Sequence, residues 1–269
     1  MSIPVIGTAV VVDSHWVTRL VASVDYPVDN FFIVNNNGRD KEVVKALNML
    51  AEMPHRFIKN IHVTHMPGNV GCGGAWNLII KCYMMAPYWV IVNDDVAFGP
   101  GLLKELAEKT EADPDVGMIH AYEGDFGVGS WDLFMIRDHI IQRFGLFDEN
   151  LYPAYGEDAD YHMRFVHNPI KKVMSLDSNY MHGYGNKDQY HEHGKQSSKI
   201  HPKLEEKLRW INDVNIEYLN GKWGSEWRMQ WPTTVPWQGQ GYHVKDGSFD
   251  LEFARRKHLG DLKISTQKN

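Results

Sequence analysis

The chain has 269 residues, of which 43% are hydrophobic and 23% charged, and a formal net charge of −6 at pH 7. This composition is typical of a folded globular protein and excludes an intrinsically disordered, collagen-like or coiled-coil chain. The acidic balance argues against nucleic acid or an anionic membrane as the partner. The two cysteines are too few for a disulfide framework or a cysteine-based zinc site, so we expect a reducing compartment.

No apolar run is long enough to cross a bilayer. The longest, Tyr83–Val92, spans about ten residues, whereas a membrane helix needs about 20. The apolar N-terminus lacks the basic residues that begin a signal peptide. The sequence therefore predicts a cytoplasmic protein without a transmembrane segment.

Short β-branched runs alternate with amphipathic segments over the first 110 residues. This alternation predicts the α/β class, with a mostly parallel central sheet flanked by helices. We expect strands at 5–12, 31–34, 61–63 and 89–92, and helices at 14–23, 40–52, 75–85 and 100–110.

The pattern changes from about residue 116. Strands are predicted at 116–120, 132–136 and 173–176, and helices at 137–143, 158–166 and 202–219. Five of the nine tryptophans follow residue 209. We therefore expect one domain over 1–195 and a helical, aromatic extension over 196–269 that packs on the same domain.

Polar clusters follow three of the predicted strands. They are Asp13, the turn Asn35-Asn36-Asn37-Gly38, and Asn93-Asp94-Asp95. In a parallel sheet, ligands bind beyond the carboxyl ends of the strands. Three clusters at one edge favour a crevice that binds a nucleotide.

Asn93-Asp94-Asp95 comes directly after a buried strand. Two carboxylates at this place are costly unless they face water or a cation, and Mg²⁺ and Mn²⁺ prefer oxygen ligands. The alternative is a plain turn in which Asp caps the helix that begins near Pro100.

Gly68–Gly74 is a glycine-rich segment that leads into a helix. Glycines let the backbone approach a ligand, and a helix N-terminus favours anions. The segment matches neither the dinucleotide fingerprint nor the P-loop. Tight packing between helix and strand is the alternative.

Further carboxylates and a histidine lie in the second half of the chain. Glu157, Asp158 and Asp160 begin a predicted helix, where they offset the helix dipole or supply a general base. His182 precedes Gly183, which favours a close approach to a ligand. The later His191, His193 and His201 are expected on surface loops.

In their order, these motifs resemble the family 2 glycosyltransferases with the GT-A fold, most closely the rhamnosyltransferase-like branch. The resemblance covers about residues 4–185. It is carried by Asp13, the Asn-Asn-Asn-Gly turn, Asn69-x-Gly-x-Gly-Gly-x-x-Asn77, Asn93-Asp94-Asp95, Phe144-Gly145-Leu146-Phe147-Asp148-Glu149, Glu157-Asp158-x-Asp160 and His182.

The resemblance implies transfer of a sugar from a nucleotide-diphosphate sugar to a hydroxyl of a glycan, glycoprotein or small molecule, with inversion at the anomeric carbon. It implies Mn²⁺ or Mg²⁺ held by Asp95 and His182, and Asp158 as general base with Glu157 as second choice. The residues expected to contact the nucleotide-sugar are Asp13, Asn35, Asn36, Asn37, Asn69, Gly73, Gly74, Asn77, Asn93 and Asp94.

The resemblance also divides the domain into a nucleotide-sugar half, 1–115, and an acceptor half, 116–195. Within the second half, Phe144–Glu149 is expected to form a strand and turn, with Asp148 in a structural role. Trp131 and Tyr155 either stack on acceptor sugars or belong to the core.

Three other functions stay open from the sequence. One is a non-catalytic nucleotide-sugar or glycan-binding module, although such a module would need no base. Another is a nucleotidyltransferase, which would favour a basic residue within Gly68–Gly74. A third is transfer to a DNA base, for which only Arg255-Arg256-Lys257 offers a basic patch. The sequence leaves homodimer formation open.

Overall fold

The computed structural model describes residues 2–12, 14–122, 129–166, 169–183 and 202–224. They belong to two compact units. The first unit comprises 1–69, 75–144 and 170–201, and the second comprises 70–74, 145–169 and 202–269, each as far as it is described.

A seven-stranded sheet forms the centre of the first unit. Its strands are β1 (Ile3–Val10), β2 (Val28–Asn35), β3 (Ile58–His65), β4 (Tyr88–Val92), β6 (Val116–His120), β7 (Leu133–Arg137) and β8 (Lys171–Val173). Their spatial order is β3-β2-β1-β4-β7-β6-β8. The pairs from β3 to β4 are parallel, β7 is antiparallel to both neighbours, and β8 is parallel to β6. The predicted α/β fold with a mostly parallel sheet is therefore confirmed.

The helices follow the predicted alternation. They are α1 (His15–Ala22), α2 (Lys41–Glu52), α3 (Cys72–Cys82), α4 (Leu102–Ala112), α5 (Asp138–Phe144), α6 (Glu157–Val166) and α7 (Pro202–Trp223). The Asp40 side chain caps α2 by accepting from the backbone N–H groups of Glu42 and Val43. All five residues of β4 are buried, as expected where both faces of a sheet are covered.

Two short strands form a separate antiparallel pair that the sequence did not predict. They are β5 (Val96–Phe98) and β9 (Tyr180–His182). The expected strand at 173–176 instead covers Lys171–Val173. The β5–β9 pair matters most for the site, because β5 follows Asn93–Asp95 and β9 ends at His182.

The predicted strand over Phe144–Glu149 is wrong. Helix α5 ends at Phe144, and Gly145 has a φ of +77°, a conformation that glycine adopts readily and that ends the helix. Phe147 then stacks on Tyr161 of α6, with ring centroids 4.4 Å apart. The segment is a loop held by packing on α6.

The second unit contains α6 and α7. Leu151, Met163, Leu219 and Trp223 form its apolar cluster. Helix α7 ends at Trp223, four residues beyond the predicted end. The predicted domain boundary at residue 195 stays a prediction, and Trp227, Trp231 and Trp237 lie outside the described residues. Among the helices that are described, none combines the length and apolarity needed to span a membrane.

Candidate functional site

The first unit brings Asp95 and His182 together. Nε2 of His182 lies 3.2 Å from Oδ1 of Asp95, and only 6% and 3% of these residues are exposed. The carboxylates that follow a buried strand suggest a cation near Asp95, and the family resemblance adds His182 as a second ligand. The structure places them side by side at the carboxyl edge of the sheet.

Strand pairing explains this contact. Strand β5 pairs antiparallel with β9, and Val96 lies opposite His182. The backbone N–H of Gly183 donates to the carbonyl of Asp95 at 2.9 Å. The register therefore fixes Asp95 and His182 as neighbours.

A second carboxylate binds the other nitrogen of the imidazole. Nδ1 of His182 donates to Oδ2 of Asp132 at 2.8 Å. The Tyr180 hydroxyl donates to the same oxygen at 2.7 Å, and Oγ of Ser130 lies 3.2 Å from that hydroxyl. The carbonyl of Asp132 accepts from the backbone N–H of Asn93 at 2.8 Å. Asp132 is thus fixed at the start of the Asn93–Asp95 motif.

These contacts set the charge of His182. Burial alone would lower its pKa, but the hydrogen bonds and charges of Asp132 and Asp95 outweigh burial and raise the pKa to about 10. The imidazole is therefore protonated at neutral pH, with an N–H directed at each carboxylate.

The adjacent side chains of Asp95 and His182 fit as ligands of a divalent cation such as Mn²⁺ or Mg²⁺. Nε2 of His182 and Oδ1 of Asp95 lie 3.2 Å apart, so both could bind one cation once Nε2 has lost its proton. Asp95 supplies a carboxylate oxygen, the ligand type that Mg²⁺ and Mn²⁺ prefer, and His182 supplies an imidazole nitrogen, which transition-metal ions bind. No cluster of three or more candidate ligands occurs in the part of the chain that the structure describes. The remaining coordination positions would be left to water and to a bound phosphate group.

Arg19 is a residue that sequence reasoning missed. Its guanidinium donates to the carbonyl of Asp95 at 2.7 Å and to that of Gly183 at 3.0 Å, and it lies 4.7 Å from the centre of the Trp16 ring. Arg19 therefore holds together the two backbone segments that carry Asp95 and His182. A basic residue in the last turn of an ordinary helix gives no sequence signal for this role.

The asparagine turn after β2 is held by its own side chains. The buried Asn35 accepts from the backbone N–H of Asn37 at 2.9 Å and donates to Nδ1 of His65 at 2.9 Å. Gly38 is required because a Cβ there would collide with the carbonyl of Met66. Asn35 thus shapes the turn, whereas Asn36 is buried and Asn37 half-buried at the same edge.

The glycine-rich segment differs from its predicted form. Helix α3 begins at Cys72 rather than Ala75, so Gly73 and Gly74 lie in its first turn. Gly71 has a φ of +82°, and the N–H of Cys72 donates to the carbonyl of Pro153 at 2.7 Å. Three further predicted nucleotide-sugar residues, Asn69, Asn77 and Asn93, belong to the first unit, where Asn77 is buried.

Two other predicted residues of the first unit can be placed. Asp94 lies in the turn between β4 and β5 and is buried. Trp131 belongs to the core, with ring centroids 4.8 Å from Phe134 and 5.3 Å from His120. Of the two roles predicted for Trp131, the structure shows packing in the core. Asp13 lies outside the described residues.

In the second unit, three neighbouring carboxylates have different environments. Asp160 is fully buried, with Oδ1 2.7 Å from Nζ of Lys222 and Oδ2 2.6 Å from Arg164. Glu157 is buried as well. Asp158 is half-buried, and its Oδ1 accepts from the adjacent N–H of Ala159 at 2.7 Å. Asp158 is therefore the carboxylate of this group that solvent reaches best.

Tyr155 precedes this helix and is exposed. It has a φ of +75°, rare for a residue with a side chain, and its carbonyl accepts from Nδ2 of Asn215 at 2.7 Å. An exposed aromatic side chain held on a fixed backbone is available to stack on a ligand.

Comparisons with known proteins agree with this architecture. The profile of the family described as glycosyl transferase family 2 matches residues 15–166, more than half of the chain. A galactofuranosyl glycosyltransferase of Leishmania donovani is 22% identical over 244 residues, covering 67% of this chain and 56% of that protein. The chain thus spans a little over half the length of this curated relative.

Solved structures show the same fold at low sequence identity. A Pyrobaculum calidifontis mannosyltransferase, PcManGT, in complex with GDP-Man and Mn²⁺, is 13% identical with a TM-score of 0.57, covering 95% of this chain and 78% of its own. TarS 1-349 of S. aureus in complex with UDP-GlcNAc is 14% identical with a TM-score of 0.52, covering 97% and 80%. With the family profile and the GT-A architecture in agreement, the chain belongs to glycosyl transferase family 2.

Proposed function

We propose that this chain is a metal-dependent, inverting glycosyltransferase that moves a sugar from a nucleotide-diphosphate sugar to an acceptor hydroxyl. The observation that carries the proposal is the contact between Asp95 and His182 at the carboxyl edge of the sheet. Membership of the family supports glycosyl transfer, and the adjacent side chains of Asp95 and His182 support the binding of a divalent cation.

The nucleotide-sugar is assigned to the carboxyl edge of the first unit. Ligands of open α/β sheets bind beyond this edge. Asn36, Asn37, Asn69, Asn77 and Asp94 supply amide and carboxylate groups suited to a base, ribose or sugar. Asn35 would act indirectly, because its amide holds the turn, and the role of Asp13 stays a prediction.

Asp95 and His182 would hold Mn²⁺ or Mg²⁺. The cation, when bound, would neutralise the charge that develops on the departing diphosphate. Arg19 would keep the backbone of both ligand segments in place through the carbonyls of Asp95 and Gly183. The related mannosyltransferase structure contains Mn²⁺ and GDP-Man, which supports testing Mn²⁺ first.

Asp158 is the proposed general base. It would take the proton of the acceptor hydroxyl while the hydroxyl oxygen attacks the anomeric carbon and the bond from that carbon to the diphosphate oxygen breaks. A single displacement from the face opposite the leaving group inverts the anomeric centre. Asp160 forms ion pairs with Lys222 and Arg164. The buried Glu157 remains the second choice for the general base.

The acceptor is proposed to be a glycan, glycoprotein or small molecule with a free hydroxyl. The exposed Tyr155 beside α6 is the residue assigned to stack on an acceptor sugar. The domain halves 1–115 and 116–195 keep their proposed donor and acceptor roles, and the rhamnosyltransferase-like branch stays a prediction.

A thermal-shift panel tests the donor part of this proposal. UDP-, GDP-, dTDP- and CMP-sugars, including a galactofuranose donor, are each added with and without Mn²⁺ or Mg²⁺. A ligand that binds only the folded chain raises its melting temperature. The proposal predicts a shift with one nucleotide class that is larger in the presence of the cation than in its absence. A folded chain that shifts with none of these donors would overturn it and favour a non-catalytic glycan-binding module.

A further inference from the structure

We propose that Asp132 is a positioning residue of the cation site: it orients the His182 imidazole so that Nε2, and not Nδ1, is presented beside Asp95. This inference rests on the proposed role of Asp95 and His182 as cation ligands. Asp132 itself matches none of the family motifs in the sequence.

The first argument is the division of the ring nitrogens. Nδ1 donates to Oδ2 of Asp132 at 2.8 Å, and Nε2 lies 3.2 Å from Oδ1 of Asp95. The two nitrogens point away from each other across the ring, so the two carboxylates lie on opposite sides of the imidazole. Asp132 therefore does not share a cation bound at Nε2, and its contribution is made through His182.

The second argument is that Asp132 is itself held in place. Oδ2 accepts from the Tyr180 hydroxyl at 2.7 Å, and Oγ of Ser130 lies 3.2 Å from that hydroxyl. Its carbonyl accepts from the backbone N–H of Asn93, the first residue of the motif that contains Asp95. Both the side chain and the backbone of Asp132 are therefore fixed relative to the site.

The third argument is chemical. A histidine that binds a metal through one nitrogen commonly donates from the other to a carboxylate, which fixes the ring and makes it a better ligand. Loss of such a partner weakens metal binding by about 10- to 100-fold. The chain Tyr180–Asp132–His182 has this arrangement, and all three residues are buried.

The test measures Mn²⁺ binding to the full chain by electron paramagnetic resonance, with Mn²⁺ alone and with Mn²⁺ plus UDP or GDP. Asp132→Ala is expected to weaken Mn²⁺ binding by about 10- to 100-fold. Asp132→Asn keeps an oxygen that can accept from Nδ1 and should recover most of that loss. Tyr180→Phe should weaken binding several-fold, and Asp177→Asn, at a highly exposed carboxylate, serves as the matched control with no change.

The outcomes separate this inference from the proposed function. If the wild-type chain binds no Mn²⁺ under either condition, the proposed cation site itself fails. If the wild type binds Mn²⁺ and Asp95→Ala abolishes binding while both Asp132 variants bind like the wild type, the positioning role of Asp132 is overturned. An Asp132→Asn loss as complete as that of Asp95→Ala would also overturn it, since Asp132 would then be a direct ligand.

Folding is checked by circular dichroism before binding is compared. If Asp132→Ala does not fold, Asp132→Asn and Tyr180→Phe decide the question. A several-fold weakening in both supports the positioning role, and wild-type affinity in both overturns it.

Discussion

Nζ of Lys222 lies 2.7 Å from Oδ1 of Asp160 and 2.8 Å from Oδ2 of Asp148, and all three side chains are fully buried. Burial alone would raise the pKa of Asp160, but the charges of Lys222 and Arg164 outweigh it and lower the pKa. Helix α7, which the family profile does not cover, is thus joined by buried charges to the helix that carries Asp158.

Replacing Lys222 should destabilise the second unit strongly. Lys222→Met removes the ammonium group that Asp148 and Asp160 share. Removing one partner of a buried ion pair costs about 3–5 kcal/mol of stability. Urea unfolding of the full chain measures the change. Lys207→Met, at an exposed position of the same helix, is the control, and equal stability of the two variants would refute a structural role for Lys222.

Stability should fall in mild acid because of His120. This residue is fully buried, its Nδ1 donates to the carbonyl of Ser130 at 2.8 Å, and burial lowers its pKa to about 4. Between pH 6.5 and 4 the unfolded chain binds a proton that the folded chain does not. The contribution of His120 is therefore present above pH 6.5 and lost as the pH falls towards 4, by roughly 3 kcal/mol.

His120→Asn isolates this effect. The asparagine amide can still donate to the Ser130 carbonyl but does not titrate. Urea unfolding at a series of pH values should show a shallower loss of stability between pH 6.5 and 4 for this variant. The exposed His62→Asn should keep the slope of the wild type, and a wild-type slope in His120→Asn would rule out His120 as the cause.

Asp158→Asn should separate binding from catalysis. The variant removes the proposed base, and loss of a general base lowers the rate by about 10²–10⁴-fold. Donor affinity, measured by calorimetry, should stay close to that of the wild type. Glu157→Gln is the matched comparison. Near-normal turnover in Asp158→Asn together with a large loss in Glu157→Gln would move the base to Glu157.

Arg19→Lys should weaken cation-dependent donor binding while leaving the fold intact. The guanidinium donates hydrogen bonds to the carbonyls of both Asp95 and Gly183. A lysine ammonium group does not reproduce this planar donor geometry. We expect donor affinity in the presence of Mn²⁺ to fall several-fold by calorimetry. The exposed Arg56→Lys controls for the change of side chain, and equal affinity in both variants would contradict this role.

The sequence predicts the long helices and strands well. Apolar runs bounded by turn residues mark β1, β2 and β4, because these strands are buried on both faces. β5 and β9 have three residues each, and their pairing joins distant parts of the chain. No local pattern predicts such a pair.

The contacts of the site are harder to predict than its members. The carboxylates after β4 suggest Asp95 and the family resemblance suggests His182 as proposed cation ligands, whereas the contacts of Asp132 and Arg19 depend on strand register and side-chain geometry. The residue types alone also do not predict that Asp160 is buried against Lys222 while Asp158 stays accessible to solvent. That difference depends on α7, far along the chain.

The most direct test of the central claim is calorimetry of donor binding to the wild type and to Asp95→Asn, each with and without Mn²⁺. The donor is the nucleotide-sugar that the thermal-shift panel identifies. We predict that Mn²⁺ raises the affinity of the wild type at least tenfold and that Asp95→Asn loses this gain while keeping the cation-independent binding. The same Mn²⁺-dependent gain in Asp95→Asn would contradict a cation site at Asp95 and His182.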